Sequence, residues 1–422
     1  MIKEKNLHVV GIIAEYNPFH NGHAYHIRKA KELSNAEYAV VVMSGDFVQR
    51  GAPAIYDKYT RTAMALSCGA DLVLEIPSVF ASGSAEDFAS SSVALLNGLG
   101  AVDTVCFGSE SGDMEKLSAI ATILANEPAV YSDELRKELK KGATFPEARN
   151  TALVTSGAVG KEDASILASP NNILGIEYLK AIYRQNASLT PLTIARNGSG
   201  YHDPQLMPDR FCSATGLRKA LRESGEEDYN EAGNAVFDYV PDPVKLKIQE
   251  SKPLYCDDFS LLLNSALLRL SMEGIPFNYF SDVSEELAAR ITKQLPDYHS
   301  FEEKINQLKT RQYTYTRVSR ALLHIMLGTT SQLTEDGRRA GYAPYARILG
   351  FKKESVSLMG EIKKRGSIPL IAKTAGAEAN LTGAAAAMLR HDFYSSHIYQ
   401  TVLQAKYDIK VKNEFTQSVV IL

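Results

Sequence analysis

The first 110 residues alternate short apolar runs with segments of helical periodicity. The helical patterns fall between the apolar runs, and such alternation is typical of parallel sheets with crossover helices on both faces. The predicted fold class is therefore α/β, with a doubly wound, Rossmann-like parallel sheet that binds ligands beyond the carboxyl ends of its strands. The predicted strands are His8–Ala14, Tyr38–Met43, Leu72–Ile76 and Val102–Phe107, and the predicted helices are Ala24–Leu33, Asp57–Ser67 and Ala85–Leu96.

The pattern changes after residue 110. Residues 113–169 are predicted to form a mainly helical insertion over the sheet, followed by a helix at Ile173–Tyr183, a fifth strand at Leu189–Ala195 and a helix at Leu217–Leu221. An acidic stretch around residues 223–231 predicts a boundary, which divides the chain into a domain of residues 1–225 and a mainly helical domain of residues 226–422. The elements predicted in the second domain are helices at Asp258–Glu273, Glu285–Lys293, Thr316–Leu327, Gly376–Leu389 and Asp392–Gln404, and short β elements at Ile368–Ile371 and Ser418–Leu422.

Composition narrows the class of protein. The chain has 422 residues, of which 45% are hydrophobic, and a net charge of −3. No apolar run reaches the ~18 residues of a membrane span, and residues 1–6 do not resemble a signal peptide. Four scattered cysteines without a CxxC pair argue against a zinc site or a disulfide framework, and they favour a reducing, cytoplasmic location.

The strongest chemical signal is His20-Asn21-Gly22-His23, which lies between the first strand and the first helix. Residues i and i+3 share one helical face, so both imidazoles can face a ligand held at the helix N-terminus, where free backbone N–H groups favour phosphates. In adenylyl transfer such donors would stabilise the charge that develops during attack on the α-phosphate. The alternative is that both histidines are structural or lie beside a surface turn.

Residues at later strand and helix ends are weaker candidates for the same site. Ser213, Thr215 and Arg218 open a helix and could contact phosphates, or could form a plain helix cap. Gly108 follows the fourth strand and would let an adenine or ribose approach the backbone, unless it is a simple turn. Asn171 and Arg196 could bind the nucleotide, or could be a cap and a surface ion pair.

The loop of residues 45–51 follows the second strand and carries Phe47, Gln49 and Arg50 between two glycines. A loop of this composition suits either a small second substrate or a mobile flap that shields the site from water.

Charge is unevenly distributed. Residues 301–373 hold 14 Lys and Arg against 6 Asp and Glu, a local net charge of +8 in an otherwise acidic chain. Tyrosines are interleaved with these cations, a combination that suits single-stranded RNA loops, although solvated helix faces would explain each cluster equally well. The possible RNA-binding residues are Arg317, Arg320, Lys352, Lys353, Lys363, Lys364 and Arg365.

Together these segments give the chain a family resemblance. The HxGH sequence and the later Ser/Thr-rich helix start resemble the HIGH-type nucleotidyltransferase superfamily. The match is closer to the bacterial tRNA(Met) cytidine acetate ligase family, and it spans nearly the whole chain. The segments that carry it are residues 11–23, 43–51, 107–110, 170–178 and 200–203, with residues 315–328 and 341–351 in the C-terminal part.

The resemblance implies an activity and a set of site residues. ATP and acetate would give acetyl-adenylate and pyrophosphate, and the acetyl group would pass to N4 of the wobble cytidine, C34, of elongator tRNA(Met), forming N4-acetylcytidine. Mg²⁺ would accompany ATP, acetyl-CoA would not be used, and His20 and His23 would be the catalytic residues. The implied ATP-binding residues are Ile13, Ala14, Glu15, Tyr16, Asn17, Pro18, Phe19, His20, Asn21, Gly22, His23, Ala24, Tyr25, His26, Gly108, Asn171 and Arg196.

Two other functions remain open at this point. The first is an adenylyltransferase that makes a nucleotide-type cofactor, and the second is a non-catalytic RNA-binding protein that keeps a nucleotide pocket. The basic C-terminal stretch favours an RNA substrate over the first, and the intact histidine pair argues against the second.

Overall fold

The structure, a computed structural model, describes residues 7–155, 157, 159–160, 166–167, 169–196, 213–223 and 236–422. Its centre is an eight-stranded sheet in the order β10-β8-β5-β2-β1-β6-β7, with β9 beside β8. A separate two-residue hairpin, β3–β4, follows β2. The strands are β1 Val9–Ala14, β2 Tyr38–Ser44, β3 Phe47–Val48, β4 Ala52–Pro53, β5 Leu72–Ile76, β6 Thr104–Ser109, β7 Thr190–Ala195, β8 Ala346–Phe351, β9 Leu370–Ile371 and β10 Val420–Ile421.

Helices cover both faces of this sheet. The α-helices of the described residues are α1 Asn21–Ser34, α2 Lys58–Ser67, α3 Ser78–Ala81, α4 Ala85–Gly98, α5 Met114–Asn126, α6 Ala129–Lys140, α7 Phe145–Thr155, α8 Pro170–Gln185, α9 Ala214–Glu223, α10 Asp242–Glu250, α11 Ser260–Met272, α12 Glu285–Lys293, α13 Phe301–Leu308, α14 Tyr315–Leu327, α15 Ser331–Arg339, α16 Val356–Arg365 and α17 Gly383–Tyr407. Short 3₁₀ segments occur at Cys256–Phe259, Phe277–Tyr279, Lys353–Ser355 and Ala377–Asn380. Over these ranges, no helix combines the length and apolar character that a membrane crossing requires.

The doubly wound α/β prediction is confirmed. The pairs β1–β2, β1–β6, β2–β5 and β6–β7 are all parallel. One core packs α4, α8 and α16 on one face of the sheet, and a second core packs α1, α2, α9 and α10 on the other. Because both faces are covered, the central strands are apolar along their whole length, which is why continuous apolar runs located them in the sequence.

The mainly helical character predicted for the C-terminal part is also confirmed over residues 236–422, but strand β8 was missed. It pairs antiparallel with β5, from Leu72 opposite Phe351 to Glu75 opposite Arg347. The short β elements predicted near residues 368–371 and 418–422 are confirmed as β9 and β10, which both pair with β8. The predicted boundary at residues 223–231 lies largely outside the described residues, and the sheet draws strands from both sides of it.

One helix boundary was wrong. The two helices predicted at Gly376–Leu389 and Asp392–Gln404 are a single helix, α17, preceded by a 3₁₀ segment. The polar residues His391 and Asp392 do not break this helix, because both side chains are buried and bonded to Ser78. Asp392 accepts hydrogen bonds from the N–H and the Oγ of Ser78, each at 2.7 Å, and His391 Nδ1 lies 2.7 Å from the same Oγ.

Buried ion pairs join the two halves of the chain. Lys58 of α2 lies 2.8 Å from Glu75 of β5 and 3.0 Å from Glu414, and Arg347 of β8 lies 2.8 Å from Glu75 and also contacts Glu414. The four side chains are at most 2% exposed. Deleting one partner would leave an uncompensated buried charge, so the cluster fixes β8 and the segment around Glu414 against β5.

Candidate functional site

The turn after β1 builds the site from local hydrogen bonds. Tyr16 adopts a positive φ of 49°, the Asn17–Pro18 peptide is cis, and α1 begins at Asn21 with His20 as its N-cap. His20 Nδ1 accepts the N–H of Gly22 at 3.1 Å, and His23 Nδ1 accepts the N–H of His20 at 3.2 Å. This is a capping box in which imidazoles take the places of the usual hydroxyl and carboxylate.

The cap fixes the state of both rings. Since each Nδ1 accepts a hydrogen bond, a neutral ring must carry its proton on Nε2. The two rings are stacked, with centroids 3.6 Å apart and planes 19° from parallel. Both histidines line the same cavity, so the cap leaves each Nε2–H as the ring group that can donate to a ligand.

Burial keeps the histidines neutral. It lowers the pKa of His20 to about 3, and the guanidinium groups of Arg196 and Arg218 act in the same direction. Burial, the neighbouring His20 and Arg196 hold the pKa of His23 well below its usual range, and burial with Arg196 lowers that of His26 to about 4. At neutral pH the histidine pair therefore offers two hydrogen-bond donors and no net charge.

The histidines open into a cavity of about 300 Å³ at the carboxyl ends of β1, β6 and β7. The connection after β1 runs to β2 on one side and the connection after β6 runs to β7 on the other, and the point between two such strands is the usual place for a ligand in these sheets. The predicted residues that line it are Ile13, Ala14, Glu15, Tyr16, Asn17, His20, Gly22, His23, Tyr25, His26, Gly108, Asn171, Arg196, Ser213, Thr215 and Arg218.

Four residues of the predicted ATP loop do not line the cavity, namely Pro18, Phe19, Asn21 and Ala24. Phe19 is fully buried in the core beneath α1. Asn21 donates from its backbone N–H to the carbonyl of Tyr239 at 2.8 Å and from its side chain to the carbonyl of Asp238 at 3.0 Å. Phe19 and Asn21 therefore hold the loop in place and do not line the cavity.

Helix α9 contributes the second predicted group. Ser213 Oγ accepts the N–H of Gly216 at 3.1 Å, as a helix cap does. Arg218 donates to the carbonyl of Asn17 at 2.6 Å and to Thr215 Oγ1 at 3.2 Å. Arg218 therefore ties α9 to the histidine loop and lines the cavity at the same time, and its contact with phosphates stays a prediction.

The ends of β6 and β7 form the opposite wall. The side chain of Arg196 passes over Gly108, where an added Cβ would lie 3.2 Å from Arg196 Cγ. Arg196 Nη1 donates to Asn171 Oδ1 at 3.4 Å, and Asn171 donates to Glu110 Oε1 at 2.6 Å. A side chain at position 108 would press against Arg196, so the glycine gives the arginine room to lie over the strand end.

Glu110 is a residue that sequence analysis missed. Its carboxylate accepts the backbone N–H groups of Asn171 and Asn172 at 3.2 and 2.9 Å, so it caps α8 from another element. Asn172 is 2% exposed and accepts from Ser109 Oγ at 2.6 Å, which makes it a support of the wall rather than a ligand contact. The position of Glu110 directly after Gly108 and Ser109 at a strand end was the signal that could have found it.

The loop of residues 45–51 is anchored by buried contacts, which argue against the mobile-flap interpretation. Phe47 is 3% exposed and packs against Phe259 and Tyr399, with ring centroids 5.5 and 6.1 Å away. Asp46 accepts the N–H of Lys58 at 2.8 Å and is 4% exposed. Burial raises the pKa of Asp46 to about 6, against the opposing effect of the Lys58 ammonium. Of this loop, only Gln49 and Arg50 reach the cavity.

Arg61 is a second missed residue, and it organises the strand ends. Its guanidinium is fully buried and donates to the carbonyls of Glu15 at 2.6 Å, Ser44 at 3.0 Å and Tyr56 at 2.9 Å, and also to that of Gly45. It thereby ties the chain beyond β1 to the end of β2. The remaining lining residues that were not predicted are Phe88, Phe107, Leu174, Tyr178, Ile194, Ala195 and Ala214.

The possible RNA-binding residues divide between the two edges of the sheet. Lys352 follows β8, and its N–H donates to the carbonyl of Asp71 at 3.0 Å, just before β5 begins. The same part of the chain carries Lys353, Lys363, Lys364 and Arg365. The backbone of Arg365 packs against Gly100, which precedes β6, so this part of the chain lies at the amino edge of the sheet, opposite the cavity.

Arg317 and Arg320 lie on α14, beside the hairpin β3–β4. Ser319 Oγ donates to the carbonyl of Gly51 at 2.8 Å, which places this helix next to Gln49 and Arg50. Arg320 donates to Asp282 at 2.8 Å, and the guanidinium of Arg317 lies 5.0 Å from the ring centre of Tyr313.

Comparison with known proteins identifies the family. The model of the family HIGH Nucleotidyl Transferase matches residues 7–414. A protein of Acetivibrio thermocellus named tRNA(Met) cytidine acetate ligase is 39% identical over 98% of this chain and 100% of its own length. A protein of the same name from Thermoanaerobacter sp. is 40% identical over 93% of this chain and 94% of its own length. The chain belongs to the tRNA(Met) cytidine acetate ligase family.

A solved structure agrees with this family. The apo structure of Thermotoga maritima TmcAL has a TM-score of 0.91, with 30% identity over 99% of this chain and 100% of that one. A second structure of the same protein, bound with alpha-thio ATP, has a TM-score of 0.89 and 29% identity over the same shares. The predicted family resemblance is therefore confirmed over nearly the whole length of the chain.

Proposed function

We propose that this protein is an ATP-dependent ligase that activates acetate as acetyl-adenylate and acetylates N4 of the wobble cytidine, C34, of elongator tRNA(Met). The observation that carries the proposal is the pair of stacked, neutral histidines held at the start of α1, inside a cavity at the crossover point of the sheet. Membership of the tRNA(Met) cytidine acetate ligase family supports the choice of substrates.

The first step is nucleophilic attack by an acetate oxygen on the α-phosphorus of ATP. The bond from Pα to the bridging oxygen of the β-phosphate breaks, and pyrophosphate leaves with the bonding electrons. The Nε2–H groups of His20 and His23 would donate to the phosphate oxygens on which charge grows, and the positive end of the α1 dipole would favour that charge. Thr215 and Arg218 would hold the departing pyrophosphate, and Gly108, Asn171 and Arg196 would hold the nucleoside.

The second step forms the amide. The N4 amine of cytidine attacks the carbonyl carbon of acetyl-adenylate, AMP leaves with the oxygen that bridged the acyl carbon and the phosphorus, and the amine loses a proton. The mixed anhydride is electrophilic because adenylate is a good leaving group, so acetyl-CoA is not required. Mg²⁺ would bind together with ATP and offset its charge, as it does in other nucleotide-dependent enzymes.

The tRNA would contact the part of the chain after residue 236, which contains the basic helices. We assign the catalytic role to residues 1–225 and the tRNA-binding role to residues 226–422, with a cytoplasmic location for the whole protein. The local charge of +8 over residues 301–373 supports this division.

A variant of His20 tests the catalytic assignment without removing the helix cap. In His20→Asn the side-chain oxygen can still accept the N–H of Gly22, but the Nε2–H donor is lost. We expect acetate-dependent exchange of labelled pyrophosphate into ATP to fall by about 100-fold to 1000-fold, the usual effect of removing one such donor. His8→Ala, which changes an exposed histidine, is the matched control.

Three outcomes distinguish the functions. Label from acetate that enters unmodified elongator tRNA(Met) supports the ligase. Transfer of AMP to a mononucleotide or a pantetheine-type acceptor, without label in tRNA, would indicate the cofactor adenylyltransferase. RNA binding with no ATP turnover, and with His20→Asn indistinguishable from wild type, would indicate a non-catalytic protein.

A further inference from the structure

The acetate-binding end of the cavity can be located from the distribution of its cations. The described residues place three arginines in the cavity wall, Arg50, Arg196 and Arg218. Arg196 and Arg218 lie on the side of β6, β7 and α9, where they contact Asn171, Asn17 and Thr215. Arg50 approaches from the other side of β1, because its loop follows β2, and β2 and β6 flank β1 in the sheet. Arg50 is therefore the cation that faces the nucleotide from the opposite side.

Both neighbours of Arg50 are fixed. The N–H of Gln49 donates to Glu15 Oε1 at 3.0 Å, and its side-chain amide donates to the carbonyl of Gly83 at 3.3 Å. The carbonyl of Gly51 accepts from Ser319 at 2.8 Å. Arg50 is thus carried on a preorganised loop, which reduces the entropy lost when a ligand binds.

An apolar ring lies at the same end of the cavity. Phe88 of α4 is 2% exposed, yet it contributes to the cavity wall. The helix begins at Ala85, two residues after Gly83, whose carbonyl accepts from Gln49, so the first turn of α4 and the loop of Arg50 lie on the same side of the cavity. A cation and an aromatic ring that line the same cavity, on elements that contact each other, match a small carboxylate with a short alkyl group.

We propose that Arg50 binds the carboxylate of acetate and that Phe88 contacts its methyl group and limits the length of the acid. The inference rests on the proposed function. Acetate must reach the α-phosphorus from the side opposite to the leaving pyrophosphate, which Thr215 and Arg218 would hold. The guanidinium of Arg50 binds the anionic nucleophile there and reduces its repulsion from the phosphates.

Substitution of Arg50 tests the carboxylate contact. The assay is acetate-dependent pyrophosphate exchange at varied acetate and ATP, with Arg50→Gln, Arg50→Lys and the control Arg339→Gln, which alters an exposed arginine on α15. We expect the acetate KM of Arg50→Gln to rise about tenfold or more, the effect of losing a charge-assisted hydrogen bond, while its ATP KM changes less than about twofold. Arg50→Lys should be intermediate, since it keeps the charge but not the fork of donors.

Two results would overturn the carboxylate contact. An equal rise in the ATP KM would assign Arg50 to the nucleotide, and unchanged constants for both substrates would remove it from the site. Thermal unfolding of each variant shows that the fold is retained. If the wild-type protein shows no acetate-dependent exchange at all, the proposed function fails together with this subsite. If the wild-type protein shows exchange and the Arg50 variants have the same acetate KM as wild type, only the subsite is refuted.

Substitution of Phe88 tests the methyl contact. One methylene group in a hydrophobic pocket is worth about tenfold or more in discrimination. We expect Phe88→Leu to raise the ratio of kcat/KM for propionate to that for acetate by about tenfold, and Phe145→Leu, at a side chain 55% exposed, to leave the ratio unchanged. A ratio in Phe88→Leu equal to that of wild type would place the alkyl group elsewhere.

Discussion

At the scale of single residues, the decisive feature is that the cap fixes the protonation of the histidines. The N–H groups of His20 and Gly22 occupy the two Nδ1 atoms, and burial keeps the rings neutral. A histidine that is neutral and Nε2-protonated can stabilise an anion but cannot lend it a full positive charge. The charge in this site comes instead from the arginines of its walls.

The same residues predict how stability depends on pH. In the unfolded chain a histidine has a pKa of about 6.5, whereas in the folded protein burial lowers the pKa of His20 to about 3 and that of His26 to about 4. Below pH 6.5 the unfolded state therefore binds protons that the folded state does not, and the free energy of unfolding falls as pH falls. Each such histidine contributes about 1.4 kcal/mol per pH unit between its two pKa values.

Urea unfolding at pH 7, 6 and 5 measures this effect. Carboxylates also titrate at the acid end of this range. The informative quantity is therefore the difference between wild type and His20→Asn in the free energy of unfolding at each pH. The variant lacks one depressed histidine and should lose less stability on acidification. Parallel curves for the two proteins would show that His20 does not titrate differently in the folded and unfolded states.

At the scale of elements, the site depends on a short hairpin being seated on a helix of the C-terminal half. Gly51 has a φ of 77°, and a Cβ there would overlap the backbone nitrogen of Arg320 on α14. Its neighbour Phe47 enters the core formed by the C-terminal helices. The loop that carries Gln49 and Arg50 is thus positioned by residues almost 270 positions away in sequence.

Gly51→Ala should therefore be destabilising for two reasons, the positive φ and the overlap with backbone. We expect a loss of about 2 to 4 kcal/mol in the free energy of unfolding. Gly328→Ala is the matched control, because that glycine has a φ of 69° with open space around it, and it should lose only about 1 kcal/mol. Equal losses in denaturant unfolding would mean that the packing of Gly51 against α14 does not matter.

Elements defined by local pattern could be predicted from the sequence, and those defined by distant partners could not. Strand β5 at Leu72–Ile76 and helix α12 at Glu285–Lys293 lie where the periodicity placed them. Strand β8 was missed because Arg347 interrupts its apolar run, and only Glu75 and Glu414, far away in sequence, make a buried arginine acceptable there.

The site follows the same rule. The positions of His20, Gly108 and Arg196 followed from the ends of predicted strands. Arg61 escaped prediction because the groups it binds are backbone carbonyls of other elements, which leave no mark in the sequence. Glu110 stands at a strand end, but the backbone N–H groups that give it a role belong to another element and could not be foreseen.

At the scale of the whole molecule, the cavity and most of the possible RNA-binding residues lie on opposite edges of the sheet. A six-residue strand such as β1 is about 20 Å long, so a tRNA that reaches the cavity could contact the amino edge only by extending along the side of the protein. Arg317, beside the hairpin, lies nearer to the expected position of the cytidine.

A triple variant tests this extended surface. We change Lys363, Lys364 and Arg365 together to Ala. The triple variant should bind tRNA more weakly, and the slope of log affinity against log salt should fall by about 0.7 to 0.9 for each phosphate that the protein no longer neutralises. Pyrophosphate exchange, which needs no tRNA, should be unaffected. The control is a second triple variant in which Lys137, Lys140 and Lys141 at α6 are changed to Ala. It removes the same charge and should leave tRNA binding unaltered. Equal affinities for tRNA in the two triple variants would exclude α16 from the RNA surface.

The pairing of β5 with β8 also has a consequence for how the protein is made. Leu72 lies opposite Phe351, so the central sheet closes a loop of nearly 280 residues. Pairings so distant in sequence slow folding, because the entropy of closing the loop must be given up before the strands can pair. During synthesis, the edge of β5 must wait for most of the chain to leave the ribosome, and a nascent chain at this stage exposes an unpaired apolar edge. We therefore infer that the protein depends on protection from aggregation until β8 arrives.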